Sequence, residues 1–143
     1  MKLKTTRFGE IEVVETQIYT FRDGLPGFPD VKRFAILANP QGGAFQWMQA
    51  ADLAALAFVI TDPVLFFPGY KITARAEELV SVELADVSGG IVLVILTVPK
   101  NPVEITANLL GPLLFNAKAK LARQVVQTDP QYSTKHRLFK DVT

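Results

Sequence analysis

The sequence predicts an all-β fold, mainly antiparallel: a small barrel-like or pseudo-barrel domain with one or two short helices. Two observations carry this. Short alternating or apolar stretches recur along the chain, separated by Gly, Pro, Asn or Asp turn signals. One of them, IVLVILTV, has no polar residue before Thr97, which marks a central strand buried on both faces. No linker, low-complexity tract or internal repeat divides the 143 residues, so a single domain over 1–143 is expected.

In chain order, Lys2–Arg7 and Glu10–Val14 read as strands joined by a tight turn at Phe8-Gly9, where Gly supplies a positive φ. Gln17–Thr20 follows. RDGLPGFPD, residues 22–30, has two Gly and two Pro and reads as an ordered, compact loop. Strands are expected at Arg33–Leu37, Phe45–Gln49, Ala57–Thr61 and Lys71–Thr73. A short helix is expected over Thr73–Val80, where TARAEELV is built of helix formers, and another near Asp52–Leu56. DVSGG, residues 86–90, reads as a turn before the central strand, Gly90–Val98. Its superficial likeness to the D-x-S-x-x-G half of PilZ domains fails, because the second Gly arrives one residue early and no R-x-x-x-R element accompanies it. Strands at Glu104–Leu110 and Arg123–Thr128 complete the series.

Residues 105–116, ITANLLGPLLFN, pose the main structural question. As a strand, one face carries Ile105, Ala107, Leu109, Gly111, Leu113 and Phe115, which belong in the core. The other carries Thr106, Asn108, Leu110, Pro112, Leu114 and Asn116. Pro112 has no N–H to donate, so it belongs on an edge or a bulge, and Gly111 favours a bend. Two readings follow: a kinked strand covered on its second face, or an accessible edge with a Leu110/Leu114 patch that accepts a partner.

Composition limits function. Apolar residues make up 49% and charged residues 20%, ordinary for a globular protein. The absence of Cys removes disulfides, thiolate nucleophiles and Cys-based zinc sites, and it favours a reducing compartment. The N-terminus lacks a signal-peptide pattern, and no apolar run approaches the ~20 residues of a membrane-spanning helix. The expected location is therefore cytoplasmic, with no membrane partner. The formal net charge of +1 hides a segregation. Residues 44–104 hold seven acids against three bases, whereas residues 118–143 hold six Lys and Arg against two Asp.

No catalytic constellation is visible, so no enzyme activity, metal or cofactor is expected. The single His, His136, sits between Lys135 and Arg137 without a neighbouring carboxylate to orient it. None of Ser81, Ser88 and Ser133 lies in a G-x-S-x-G elbow, and no P-loop or G-x-G-x-x-G occurs.

Six stretches, in order, resemble the flagellar assembly factor FliW family: GLPGF (24–28), FQWMQ (45–49), LAFVITDPVLFFPGY (56–70), LTVP (96–99), ITANLLGPLLFN (105–116) and RQVVQTDPQYSTKHRLF (123–139). T-A-N-L-x-x-P followed by an aliphatic pair and Asn is the most specific element. The resemblance implies a non-catalytic β-barrel-like protein with two protein partners. One is flagellin, held through its C-terminal segment before export; the other is the translational regulator CsrA, captured once flagellin has left. No direct contact with nucleic acid is implied, and the free protein is expected to be a monomer.

Contact candidates follow. CsrA carries a basic RNA-binding surface, which points to the acids Asp52, Asp62, Glu77, Glu78 and Glu83. Thr106, Asn108, Leu110, Leu114 and Asn116 either line a contact surface or serve the fold, with Asn108 and Asn116 bonding turn backbone. Trp47 is a core residue or an exposed anchor, and Phe28, Tyr132 and Phe139 are candidate surface aromatics. The family tends to be acidic, whereas this chain has a pI near 8.0, so electrostatic exclusion of RNA requires the acidic middle to form one coherent face. Alternatives are a small-ligand-binding β-barrel and an RNA-binding regulatory module using the basic tail.

Overall fold

In the computed structural model, which describes residues 1–139, β7 (Ile91–Thr97) is the hub. Strands β1 (Lys2–Thr5) and β2 (Gly9–Glu12) form a separate hairpin. Strands β3 (Ile18–Thr20), β4 (Arg33–Ala38), β5 (Phe45–Ala50) and β6 (Ala57–Thr61) lead through a short helix α1 (Ala76–Ser81) into β7. Then follow β8 (Thr106–Ala107), β9 (Leu113–Asn116), β10 (Leu121–Gln124) and β11 (His136–Arg137). Pairing runs β7-β6-β5-β4-β3-β10-β9 and returns from β9 to β7, closing a seven-strand barrel. The β3–β10 pair is parallel and the other barrel pairs are antiparallel.

The period-two alternation sorts side chains into layers. Phe21, Phe34, Met48, Ile60, Leu113 and Phe115 fill the barrel and are at most 1% exposed. Phe21 meets Phe34 and Phe115 edge-on at centroid distances of 5.1 and 5.9 Å. Each such ring contributes about 1.5–3 kcal/mol by burial, with roughly 0.5–1.5 kcal/mol more per aromatic pair. Strand β7 faces both ways, with Leu93 and Ile95 inward and Val94 and Leu96 in a second cluster outside. The β1–β2 hairpin packs Leu3 and Val13 against Ile18 of β3 and Ala35 and Leu37 on the outer face of β4.

The 105–116 segment runs along one edge of β7 twice. Thr106 and Ala107 pair with Thr97 and Leu96, and Leu113–Phe115 pair with Leu93–Ile91. From Ala107 to Leu113 the segment advances six residues while β7 advances three, so the excess bulges out. Bulge backbone groups find partners. Leu110 O and Pro112 O accept from Gln127 N and Val125 N, both at 2.8 Å. Gly111 N donates to Asn108 Oδ1 at 2.9 Å, and Tyr70 Oη donates to Leu109 O at 2.7 Å. Burial pushes the Tyr70 hydroxyl well above its ordinary pKa. A Cβ on Gly111 would collide with Gln124 Nε2.

Several expected elements differ. Lys71–Thr73 is not a strand; instead the Gln127 carboxamide bonds both Thr73 N and Thr73 O, at 2.9 and 2.8 Å. Asp52–Leu56 is a turn rather than a helix. Gln49 Nε2 donates to the carbonyls of Ala50, Leu53 and Ala54, and so short a run cannot offset helix nucleation. Glu104–Leu110 shrinks to β8 because Asn101 caps a 3₁₀ turn at Pro102–Glu104. The expected strand at Arg123–Thr128 begins earlier and ends at Gln124, and β11 has no counterpart among the expected strands. In the 22–30 loop, Gly24 has φ +64°, and a Cβ there would sit 2.7 Å from Pro29 O.

Helix α1 starts at Ala76 and packs Leu79 and Val82 on Leu114, Leu121 and Val125. Its N-terminus is held by Glu78, whose Oε1 accepts from Arg75 N at 2.9 Å. Its C-terminus is a Schellman motif: Leu84 N donates to Leu79 O and Glu83 N to Val80 O, both at 3.0 Å, with Glu83 at φ 59°. Replacing Glu83 by Gly relieves that left-handed strain and loses only the exposed Arg22 ion pair. A gain of about 0.5–1 kcal/mol is expected, read as a Tm rise of roughly 2–4 °C in a thermal melt.

Glu78 is 1% exposed. Burial alone pushes its carboxyl up, but the Arg75 N–H and guanidinium and the Arg123 charge outweigh this and hold it below the usual carboxylate range. A lowered folded pKa contributes stability that is complete above the ordinary Glu range, about 4.3, and is lost as pH falls below it. Glu78→Gln is therefore expected to cost about 1–3 kcal/mol at pH 7. The gap to the parent closes in denaturant titrations below about pH 4, and a gap independent of pH refutes the assignment.

Candidate functional site

The outer faces of β5, β6 and β7 carry an apolar row. Trp47 lies opposite Val59, and Val59 opposite Leu96. With Phe45, Ala57, Val98, Asn39 and Arg7 these residues line a cleft of about 390 Å³. Trp47 and Val59 are half-buried, and Val98 is 50% exposed. The cleft is bounded at one side by the β1–β2 turn. There Arg7 lies over the Trp47 ring, its guanidinium carbon 4.4 Å from the centroid, and Phe8 meets that ring edge-on at 5.5 Å. At the other side, Phe45 contacts Phe66 and Phe66 contacts Phe139, at 6.0 and 6.1 Å. Trp47 thus has one face held and an edge at the groove, the arrangement of an interface anchor.

The acidic candidates are engaged in ion pairs or caps. Asp52 pairs with Arg33 at 2.9 Å, Glu77 with Arg75 at 3.3 Å, and Glu83 with Arg22 at 3.0 Å. Asp62 Oδ1 accepts from Val64 N and caps the turn at Pro63–Leu65. Glu78 is buried, with Arg123 Nη2 at 3.8 Å from its Oε2, so the expectation of a surface carboxylate there is corrected: it is an interior helix cap. The arginine partners of Asp52, Glu77 and Glu83 offset their charge locally.

The 105–116 candidates divide by burial. Leu114 is 0% exposed beneath α1, so the reading of a kinked strand covered on its second face holds and the alternative of an open Leu110/Leu114 patch fails. Asn116 is 7% exposed; its Nδ2 donates to Val82 O and Glu83 O, and its Oδ1 accepts from Lys118 N and Ala119 N. Thr106 and Asn108 are half-buried, in β8 and at the bulge, and Leu110 is half-buried in the bulge. Phe28 is 36% exposed and packs edge-on against Phe58, the neighbour of Val59. Tyr132 is half-buried against Tyr70 at 4.9 Å. Phe139 is 42% exposed beside a cleft of about 500 Å³ that also includes Phe66, Phe67, Lys135 and His136. Lys140 and Asp141 of the basic tail lie outside the described residues.

Sequence reasoning missed Arg7, Phe8, Phe45 and Phe66. Their contacts join hairpin turn, strand and 3₁₀ turn across tens of residues, and no local period reports such a meeting. The outward alternation of Phe45 and Trp47 in FQWMQ was the available signal. The barrel interior is packed, and the recess at its mouth, about 310 Å³ with Tyr19, Ile36, Leu93 and Phe115 along its lining, is half-open. Among the described residues no group of three or more His, Cys, Asp or Glu is placed to hold a metal ion. Among them, too, no helix is long and apolar enough to cross a membrane.

Comparisons with known proteins agree with this architecture. A crystal structure of the flagellar assembly factor FliW superposes with a TM-score of 0.91 at 34% identity, covering 100% of both chains. The flagellar assembly factor FliW of Natranaerobius thermophilus is 39% identical over 142 residues, covering 99% of this chain and 94% of its own. That of Geotalea uraniireducens is 40% identical over 139 residues, covering 97% and 85%. The relatives are named for flagellar assembly and not for a reaction. The family model described as FliW protein matches residues 2–138, and this chain belongs to the FliW family.

Proposed function

We propose that this chain is a cytoplasmic flagellar assembly factor that holds the C-terminal segment of flagellin and, when flagellin-free, captures a CsrA-type translational regulator. The apolar groove over Trp47 is the observation that carries the flagellin half. Such a segment, unfolded in the monomer and helical in the filament, exposes an apolar stripe until it is assembled. From β5 to β7 the groove spans two inter-strand steps, about 10 Å, which accommodates roughly six or seven helical residues. That length presents two apolar anchors, at i and i+3 or i+4. Exchange of partners follows if each lowers the affinity of the other, a reciprocal coupling that needs no chemistry.

For the regulator, the contact is assigned to the exposed acids Glu77 and Glu83 around α1, with the buried Glu78 excluded. Calorimetric titration of the full chain is expected to detect intact flagellin and not flagellin lacking its C-terminal segment. Trp47→Ala is expected to weaken that binding at least about tenfold while the Tm moves little. Equal affinity for truncated flagellin, or an indifferent Trp47→Ala, overturns the flagellin reading. Glu77→Lys with Glu83→Lys is expected to slow association with the regulator and flatten its salt dependence. An unchanged rate at low salt moves the regulator's contact elsewhere.

A further inference from the structure

Arg7 sits at the groove's wall with its charge unanswered. It lies on the turn between β1 and β2, and that turn is rigidly anchored. Thr6 N donates to Ala54 O at 2.8 Å, Phe8 N donates to Thr5 Oγ1 at 2.8 Å, and Thr5 Oγ1 donates to Gly9 O at 2.8 Å. Gly9 closes the turn at φ +69°. The guanidinium is therefore placed by backbone and by the Trp47 ring rather than by a carboxylate.

The acids that could neutralise it are engaged elsewhere. Glu10 pairs with Lys2 at 3.7 Å, Glu12 with the N-terminal ammonium at 2.7 Å, and Asp52 with Arg33 at 2.9 Å. Among the described residues Arg7 has no ion pair and no hydrogen bond, although it is exposed. Stacking on a ring face uses the π surface of a guanidinium and leaves its five in-plane N–H donors directed outward. Arg7 and Ala57 also form the wall shared by the Trp47 cleft and a second recess of about 350 Å³ lined by Thr6, Gln49, Ala54 and Ala55. A segment lying over Trp47 passes directly beside those donors.

We propose that Arg7 is the specificity element of this groove and that its occupant is an acidic amphipathic helix, with a carboxylate flanking the apolar stripe to meet the guanidinium fork. This rests on the reading of the groove as a helix site and adds to it the chemistry of the helix. A planar fork fixed on an indole takes a carboxylate in two parallel hydrogen bonds. A flanking ammonium is repelled by the same group, so Arg7 rejects as well as selects.

The single Trp of the chain, Trp47, reports occupancy by its fluorescence. Three synthetic helices of about 16 residues, sharing one apolar stripe and flanked by Glu, Gln or Lys, are titrated into the full chain. The Glu-flanked helix is expected to bind at least about tenfold more tightly than the Lys-flanked helix at low salt, with the gap closing as salt rises. Arg7→Gln is expected to erase that preference, so that the Glu- and Lys-flanked helices bind within about threefold of each other whatever their absolute affinity. Arg7→Lys, which keeps the charge without the fork, is expected to retain part of it. Equal binding of all three helices to the parent chain, or a preference that survives Arg7→Gln, overturns the proposal and leaves the groove reading intact. Failure of every helix to bind overturns both.

Discussion

One edge of β7 serves two strands, and the rest of the barrel depends on how it is shared. The Ile91–Leu93 end of that edge takes β9 and closes the ring; the Leu96–Thr97 end takes β8, which leads away to β11. Between the two pairings the chain has to change register by more than a pleat allows, and the Asn108–Pro112 bulge absorbs the difference. Pro112 is tolerated because no ladder N–H is needed there, and its carbonyl still accepts from Val125 N. Without the bulge either β8 or β9 loses its partner, and a ring that hides its edges becomes an open sheet that presents them.

This arrangement also explains the division of the core. Inward side chains of β7 complete the barrel, while Val94 and Leu96 lie outside it and need a cover of their own. Residues 63–72 and the β8–β11 pair supply that cover, with Tyr70 tied to the bulge through Leu109 O. On the opposite flank α1 covers Leu114 and Leu121. The barrel is thus wrapped by separately anchored segments, and the Trp47 row lies between the hairpin turn and the cover that carries Phe66.

Much of this was legible in the sequence, and the residues say why. IVLVILTV announced a central strand, buried on both faces at Leu93, Val94 and Leu96 although Ile91 and Val98 at its ends are exposed. The one-face alternation of Ile105, Ala107, Leu109, Leu113 and Phe115 named core residues that are all under 5% exposed. Pro112 beside Gly111 signalled the bulge. What stayed hidden depends on long-range meetings. Leu114 looked exposable because the helix that covers it lies more than thirty positions earlier in the chain. Glu78 looked like surface charge because its cap on Arg75 N is local, whereas its burial comes from packing against the barrel. Gln127 stands in for a strand that the pattern at Lys71–Thr73 suggested, because a carboxamide offers the donor and acceptor of a peptide group. Arg7 gave no sign at all, since its ring partner is forty positions away.

The groove owes its existence to how the hairpin ends. Strands β1 and β2 cover β4 with Leu3 and Val13 and then turn back at Phe8-Gly9, so apolar cover stops at Trp47. A longer hairpin would seal the row and leave an ordinary core; a shorter one would expose the Trp47 ring on both faces and invite self-association. The observed length leaves a narrow apolar strip with a cation at its rim. Stacking two copies of such a strip face to face would bring Arg7 of each close to the other, a like-charge contact that disfavours that arrangement. The feature that guards the strip against its own kind is therefore the feature that selects what fills it.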